Sequence, residues 1–205
     1  MNKKNISTPS LRRLPSYYNI VCQAADADQT YISSKSIASQ LDIDDTQVRK
    51  DIAAIGYVGK PKVGFDVKDF KTHLEKFLGF EQEREAFIIG AGNLGIALAR
   101  YDGFEQYGFK LKALFDNDPH KIGLKIANKQ VFYINELEQF INENITQIAI
   151  LTVPAEFAQQ VTDNLINMGI KAIWNFAPIS LKTPEDVKVW NQNLAGSLIT
   201  FAQLL

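Results

Sequence analysis

The chain has 205 residues, room for one medium domain or two small ones, and 46% apolar content with a net charge of −1 marks an ordinary globular protein. It has no run of about 18 apolar residues and no apolar core behind the basic opening M-N-K-K-N-I-S-T-P-S, so neither a membrane-spanning helix nor a secretory leader is expected. The balanced charge hides an asymmetry. Residues 1–80 carry 12 Lys and Arg against 9 Asp and Glu, and residues 81–205 carry 10 against 14, which hints that the front half meets a polyanion.

After a leader expected to be disordered, Leu11 to about Asp26 has helical apolar spacing, with Leu14, Tyr17, Tyr18 and Val21 as core residues. Cys22, the only cysteine, sits in this apolar stretch and fits a buried small side chain in a reducing cytoplasm. Tyr31 to Ala38 is predicted as a second helix capped by Ser33 or Ser34. Leu41-Asp42-Ile43 makes a turn, and a third helix opens at Asp44 or Asp45 and stops at Gly56, giving a helix-turn-helix pattern. Gly56 to Phe65 fits a β-hairpin wing with a basic tip at Lys60 and Lys62. Asp66 to about Phe80 is a further helix, and E-Q-E-R-E a polar linker.

From Ala86 the pattern changes to strand–helix alternation. Strands are predicted at Ala86–Ile89, Leu111–Phe115, Gln130–Phe132, Gln147–Leu151 and Lys171–Asn175. Helices are predicted at Leu94–Tyr101, Ile134–Asn144 and Ala155–Met168, which argues for a doubly wound parallel sheet. Val187 to Leu205 is too apolar for a solvated tail, and a partner subunit is its expected cover.

Residues 87–95, F-I-I-G-A-G-N-L-G, run a strand into a G-x-G-x-x-G turn. In such a turn Gly90 permits the tight bend and Gly92 a close backbone approach to a pyrophosphate. Gly95 lets the next helix lie against the strand, its first N–H groups facing the phosphates. Asp116 ends the following strand 21 residues past Gly95, suited to the adenosine ribose hydroxyls. An anion there repels a 2′-phosphate, so NAD(H) is favoured over NADP(H). Thr152-Val153-Pro154 and Asn175-Phe176-Ala177-Pro178 follow later strands at the same sheet edge, and the loop 117–123, with Ile122, is placed to cover the adenine. In the third helix Thr46, Gln47, Arg49 and Lys50 lie where a recognition helix meets bases and phosphates, with Lys60 and Lys62 placed for an adjacent minor groove. Asp42, Asp44, Asp45 and Asp51 work against a uniformly basic face. Neither His73 nor His120 is placed as a proton donor beside a nicotinamide, and no metal-spaced cluster occurs, so binding without turnover fits better than catalysis.

In sequence order these stretches resemble the Rex family of redox-sensing transcriptional repressors. The resemblance rests on Arg13-Leu14-Pro15 with Tyr17-Tyr18, Tyr31-Ile32-Ser33-Ser34, Val48-Arg49-Lys50-Asp51, Val63-Gly64-Phe65 and the glycine turn. It continues through Arg100-Tyr101 with Gly103-Phe104, Phe115-Asp116 with Asp118-Pro119, Ala149 to Ala155 and Gly169 to Pro178. It implies an α/β homodimer: a winged helix-turn-helix domain (1–80), a Rossmann NAD(H)-binding domain (81–182) and a C-terminal helix (183–205) swapped onto the partner. It also implies cytoplasmic repression at palindromic operators, bound by the free or NAD⁺ form and released with NADH, the dinucleotide being an effector.

By the same resemblance Gly90, Ala91, Gly92, Asn93, Leu94 and Gly95 contact the pyrophosphate, Asp116 the ribose, and Thr152, Val153 and Pro154 the nicotinamide side; Ile122, Asn175 and Tyr101 are further cofactor-binding candidates. Arg49, Lys50 and the wing contact DNA. Two departures stand out. Ala53-Ala54-Ile55-Gly56 and Lys60-Pro61-Lys62 replace the Ser-Tyr-Phe-Gly and Lys-Arg-Gly of many members. Asn19 and Asn193 replace an arginine–aspartate pair that, in some members, a tyrosine aligned with Tyr101 disrupts, so that ion pair cannot form here. The alternatives are an NAD-dependent oxidoreductase with a helical accessory domain and a coenzyme A-binding protein.

Overall fold

The structure, a computed structural model, describes residues 6–144 and 148–204. Residues 1–5 of the leader, Gln147 at the start of one expected strand and Leu205 lie outside the described residues. Two compact units divide the chain, Met1–Glu81 and Gln82–Leu205.

In the first unit α1 (Thr8–Asp26) starts earlier than expected, because the Ser7 side chain accepts the Ser10 N–H and Pro9 stands in the first turn. It buries Leu14, Tyr17, Ile20, Val21 and Ala24 against α4 (Val67–Leu78), whose inward residues Val67, Phe70, Leu74 and Phe77 follow the helical period. Tyr31–Ile32 is a strand, β1, and not the start of a helix. It pairs antiparallel with β2 (Phe65–Asp66), and only at Ser33, which caps α2 (Ser34–Leu41), does the helix begin. Asp42, with φ 52°, turns the chain into α3 (Asp45–Ala54), capped by Asp44. The wing is not a two-stranded hairpin either. One bridge, Lys60 to Gly64, closes a turn containing Pro61, which has no N–H to pair, and the outgoing strand finds its partner in β1. A Cβ at Gly64 (φ +115°) would come within 2.5 Å of the Ile32 carbonyl oxygen, so the wing base needs glycine.

The second unit is a seven-stranded sheet. Its strands are β3 (Arg84–Ile89), β4 (Phe109–Asp116), β5 (Lys125–Ile126), β6 (Lys129–Tyr133), β7 (Ile148–Leu151), β8 (Ala172–Asn175) and β9 (Lys188–Asn191), in the order 5-6-4-3-7-8-9. All pairings are parallel except β5–β6, a hairpin turned by Ala127 and Asn128, both at positive φ. The helices are α5 (Asn93–Arg100), α6 (Leu137–Glu143), α7 (Ala155–Asn167) and α8 (Leu194–Ala202). One sheet face buries Phe87, Phe115, Leu151 and Ile173 with α6 and α7 residues Leu137 and Leu165, while the other buries Ile88, Leu114 and Ile150 with Ala99 of α5.

Three expectations change here. Arg84 and Glu85 of the expected linker open β3, with the Arg84 N–H donating to the Gly108 carbonyl at 2.8 Å. The helix expected over Ile134–Asn144 begins as a 3₁₀ turn, whose Glu136 carboxylate accepts the Tyr133 N–H at 2.9 Å. The terminal segment splits: Lys188–Asn191 joins the sheet edge before α8 starts. No residue of α8 is buried, and Leu198 and Phe201 are 67% and 57% exposed. Among the described residues no helix is long and apolar enough to cross a membrane.

Candidate functional site

From β3 the chain steps outward to β4 and β6, and from β7 it steps the opposite way to β8 and β9. Ligands of open α/β sheets sit at such a reversal, beyond the carboxyl ends of the two diverging strands. Gly90 and Thr152 follow those ends directly. Gly90 has φ +100°, and a Cβ there would lie 2.9 Å from the Thr152 carbonyl oxygen. A Cβ at Gly95 would overlap the Gly90 carbonyl oxygen and come within 2.9 Å of Thr152 Oγ1, so α5 can pack this close only with glycine. At Gly92 a Cβ would meet nothing within 4 Å. Gly92 is also the N-cap of α5, which has no side-chain cap. Open space in front of uncapped helix amides suits a phosphate, so the residues present fit a dinucleotide. Asn93 is exposed and Leu94 half-buried in that first turn, while Ala91 is buried.

Asp116 ends β4 with 8% of its surface exposed. Its Oδ2 accepts the Ala91 N–H at 2.7 Å and the Lys121 ammonium at 3.2 Å, and its Oδ1 accepts the Asp118 N–H at 2.8 Å. Burial pushes the Asp116 carboxyl up, but the N–H groups of Asp118 and Ala91, with Lys121, outweigh it and hold the group below the usual carboxylate value. Asp116 thus ties the glycine turn to the loop that follows β4. Ile122 of that loop is half-buried against the core that includes Ala91.

Thr152 directs its hydroxyl at the carbonyls of Ile89 (3.0 Å) and Gly90 (2.8 Å), locking the switch point. Val153 packs on the core, and Pro154 is the exposed N-cap of α7. Asn175 departs from expectation. It is fully buried, its Nδ2 donates to Ala177 O, Ile179 O and Asn191 Oδ1, and its Oδ1 accepts the Ala177 N–H. The amide holds the 176–179 loop and β9 in place and has no N–H left for a ligand. Tyr101 lies at the far end of α5 from the glycine turn, about 12 Å along the helix, its exposed ring edge-on to Phe104 at 5.0 Å. The structure does not bring Tyr101 to the crevice of its own chain.

In the first unit a groove of about 490 Å³ opens between Ser33 at the α2 start, Arg49 and Ala53 of α3, and the wing residues Gly59, Lys60 and Lys62. Arg49 is exposed and paired at 3.0 Å with Asp45, and Thr46 and Lys50 are also exposed. Lys60 donates to the Tyr31 hydroxyl at 2.8 Å, which fixes the wing cation against β1, and Lys62 stands at φ +63° at the wing tip. Gln47 is engaged elsewhere: its Nε2 donates to Asp51 Oδ1 at 2.7 Å.

Asp51 does not join Asp42, Asp44 and Asp45 in offsetting the basic face: it is 1% exposed. Arg13 grips it with Nε at 2.6 Å and Nη2 at 2.9 Å, and the Tyr17 hydroxyl donates at 2.7 Å. Burial pushes the carboxyl up, but Arg13, Tyr17, Ser10 and Gln47 together draw it down to about 2. The network clamps α3 to α1. The signal available in sequence was Asp51 sharing the buried face of α3 with Val48 and Ile52.

Comparison with known proteins bears on both units. Residues 5–53 match a family model described as "Putative DNA-binding protein N-terminus", and residues 81–179 match "CoA binding domain". A curated relative from Treponema denticola, "Redox-sensing transcriptional repressor Rex", is 46% identical over 93% of this chain and 90% of its own length. Its namesake from Clostridioides difficile is 40% identical over 100% and 98%. The solved structure of RSP in complex with β-NAD⁺ and operator DNA superposes with a TM-score of 0.91 at 39% identity, covering 97% of this chain and 92% of RSP. RSP in complex with β-NADH gives 0.89 at 38% identity, covering 98% and 94%.

Proposed function

Because the chain belongs to the Rex family of redox-sensing transcriptional repressors, we propose that it represses transcription by binding operator DNA and releases that DNA when NADH occupies its crevice. The observation that carries this reading is the coexistence in one polypeptide of a glycine-lined switch point closed by Asp116 and a groove framed by Arg49, Lys60 and Lys62.

Phosphate contacts position such a protein on DNA and base contacts specify the site. Lys50, Lys60 and Lys62 suit the first role, and Arg49, freed from its exposed pair with Asp45, suits a guanine edge. In the crevice the α5 amides from Gly92 to Leu94 take the pyrophosphate, Asp116 takes the ribose, and Thr152, Val153 and Pro154 face the nicotinamide. When bound, the dinucleotide supplies a ring that is cationic if oxidised and neutral if reduced. The apolar faces of Val153 and Pro154 favour the neutral form, and the shift they can drive is limited to that difference in affinity, about 1.4 kcal/mol per tenfold.

The exposed apolar face of α8 (Leu194, Leu198, Ile199 and Phe201) belongs in this reading to a homodimer interface. Two copies of α3 would then address grooves about 34–36 Å apart, as palindromic sites require. An effector role needs no proton donor at the ring. His73 is committed to the Ile55 carbonyl at 2.8 Å, in the other unit. We therefore read the protein as a cytoplasmic regulator without substrate turnover.

The test is a gel-shift titration on DNA selected by the protein from a random library, with and without NADH and NAD⁺. Release at saturating NADH but not at equal NAD⁺ is expected. DNA affinity unchanged by NADH would remove the sensing claim and leave a constitutive binder, and stabilisation by coenzyme A with none by NADH would move the crevice to the coenzyme A reading.

A further inference from the structure

Among the described residues five other than glycine have a positive φ. Asp28, Asp42 and Asn128 are of the types that tolerate it, and Ala127 shares with Asn128 the hairpin turn between β5 and β6. Lys62, at φ 63°, has neither excuse. It is the third residue of a turn closed by the Val63 N–H on the Lys60 carbonyl at 3.1 Å, with Pro61 second. That third place favours glycine or asparagine, because a Cβ there crowds the backbone.

Strain of this kind persists only where the surroundings over-determine the backbone. Here the Lys60 N–H donates to the Gly64 carbonyl at 2.7 Å, and the Gly64 N–H returns to the Lys60 carbonyl at 3.0 Å. Pro61 fixes its own φ. The Lys60 ammonium donates to the Tyr31 hydroxyl at 2.8 Å and lies 4.9 Å from the centre of that ring, so Lys60 is engaged in holding the wing on β1. Lys62 is exposed and lines the same groove as Arg49, and its ammonium has no partner among the described residues. A long cation thus occupies a place in a rigid turn that glycine would fill with less strain.

We infer that Lys62, rather than Lys60, is the wing residue that contacts a DNA phosphate, and that its left-handed backbone aims the ammonium at a cost in stability. The inference rests on the DNA-binding reading above and deepens it, dividing the two wing lysines into a tether and a contact. A turn fixed beforehand loses little freedom on the DNA, which favours that contact.

The experiment measures affinity of the full-length protein for its selected DNA at several salt concentrations, together with the melting temperature. Affinity varies as salt to the power of about −0.9 for each phosphate neutralised. Lys62→Gly should therefore bind about eightfold more weakly per bound wing at 0.1 M salt, with the log–log salt slope shallower by about 0.9 per wing. The same variant should melt about 4 °C higher, because the strain is gone. Lys62→Ala should lose as much affinity without that gain in melting temperature, and Lys62→Arg should match the natural protein in both. Lys60→Met should melt lower and change the slope by less than half as much as Lys62→Gly. Binding and slope in Lys62→Gly and Lys62→Ala equal to those of the natural protein overturn the contact, and equal melting of these two variants overturns the strain. A slope change in Lys60→Met as large as in Lys62→Gly overturns the division between the lysines. All three results leave the DNA-binding reading standing, whereas a natural protein that selects no DNA removes that reading and this inference together.

Discussion

Two buried aspartates, one in each unit, show how the same side chain becomes structural in one place and available in another. Asp51 accepts four hydrogen bonds from three side chains, Arg13, Tyr17 and Gln47, and an arginine fork occupies both of its oxygens. Asp116 accepts two backbone N–H groups and one half-solvated lysine, and faces the open end of the sheet. Asp51 has exchanged water for fixed donors and can bind nothing more. Asp116 keeps one partner, Lys121, whose side chain is about one-third exposed. Burial alone does not distinguish a site from a strut; the identity and exposure of the donors do.

The largest expected effect breaks the strut. Arg13→Ala strands the Asp51 charge in the core, and losing one partner of a buried pair costs about 3–5 kcal/mol. Hydrogen exchange in α1 and α3 should rise accordingly. Asp116→Ala, by contrast, orphans two N–H groups beside solvent, a loss of about 1–3 kcal/mol, but should abolish saturable NADH binding. If Asp116→Ala destabilised as much as Arg13→Ala while NADH binding survived, the contrast between the two acids would be wrong.

An effect of intermediate size is the pH dependence. The Asp51 pKa is near 3.8 when unfolded and about 2 when folded, so its contribution is fully present above pH 3.8 and is lost as pH falls toward 2. The amount is roughly 2 kcal/mol. Acid titration followed by exchange in α1 and α3 should show this loss in the natural protein, and Asp51→Asn should show a flatter response from a lower starting stability.

The smallest effect lies on the groove. Arg49→Ala should weaken binding to the selected DNA by about 1–3 kcal/mol and relax preference at one base position. Gln47→Ala should leave base preference unchanged, because that amide already belongs to Asp51. A shifted base preference in Gln47→Ala would return Gln47 to the reading surface.

Much of this architecture was legible because local signals and tertiary packing agree. Ser33, Asp44 and Asp66 cap the helices that their positions announce, and Gly79 ends α4 at φ 78°. The glycine turn was legible for the same reason, since each glycine answers a separate steric demand. What escaped depended on partners distant in sequence. Tyr31–Ile32 has too few residues to declare a strand without Phe65–Asp66 beside it, and Lys188–Asn191 is a strand only because β8 offers an edge. Asp51 meets an arginine 38 residues away. Asn175 has the right position for a ligand contact, but the loop it closes consumes its amide.

The central claim, that one chain couples a dinucleotide crevice to a DNA-reading face, is tested most directly through reciprocity. Whatever factor NADH takes from DNA affinity, DNA must take from NADH affinity. NADH titrations of the protein alone and of the protein saturated with its selected DNA give that factor without reference to any promoter. NADH is expected to bind the DNA complex more weakly by the same factor found in the gel shift, with NAD⁺ little affected. Equal NADH affinities with and without DNA would contradict it.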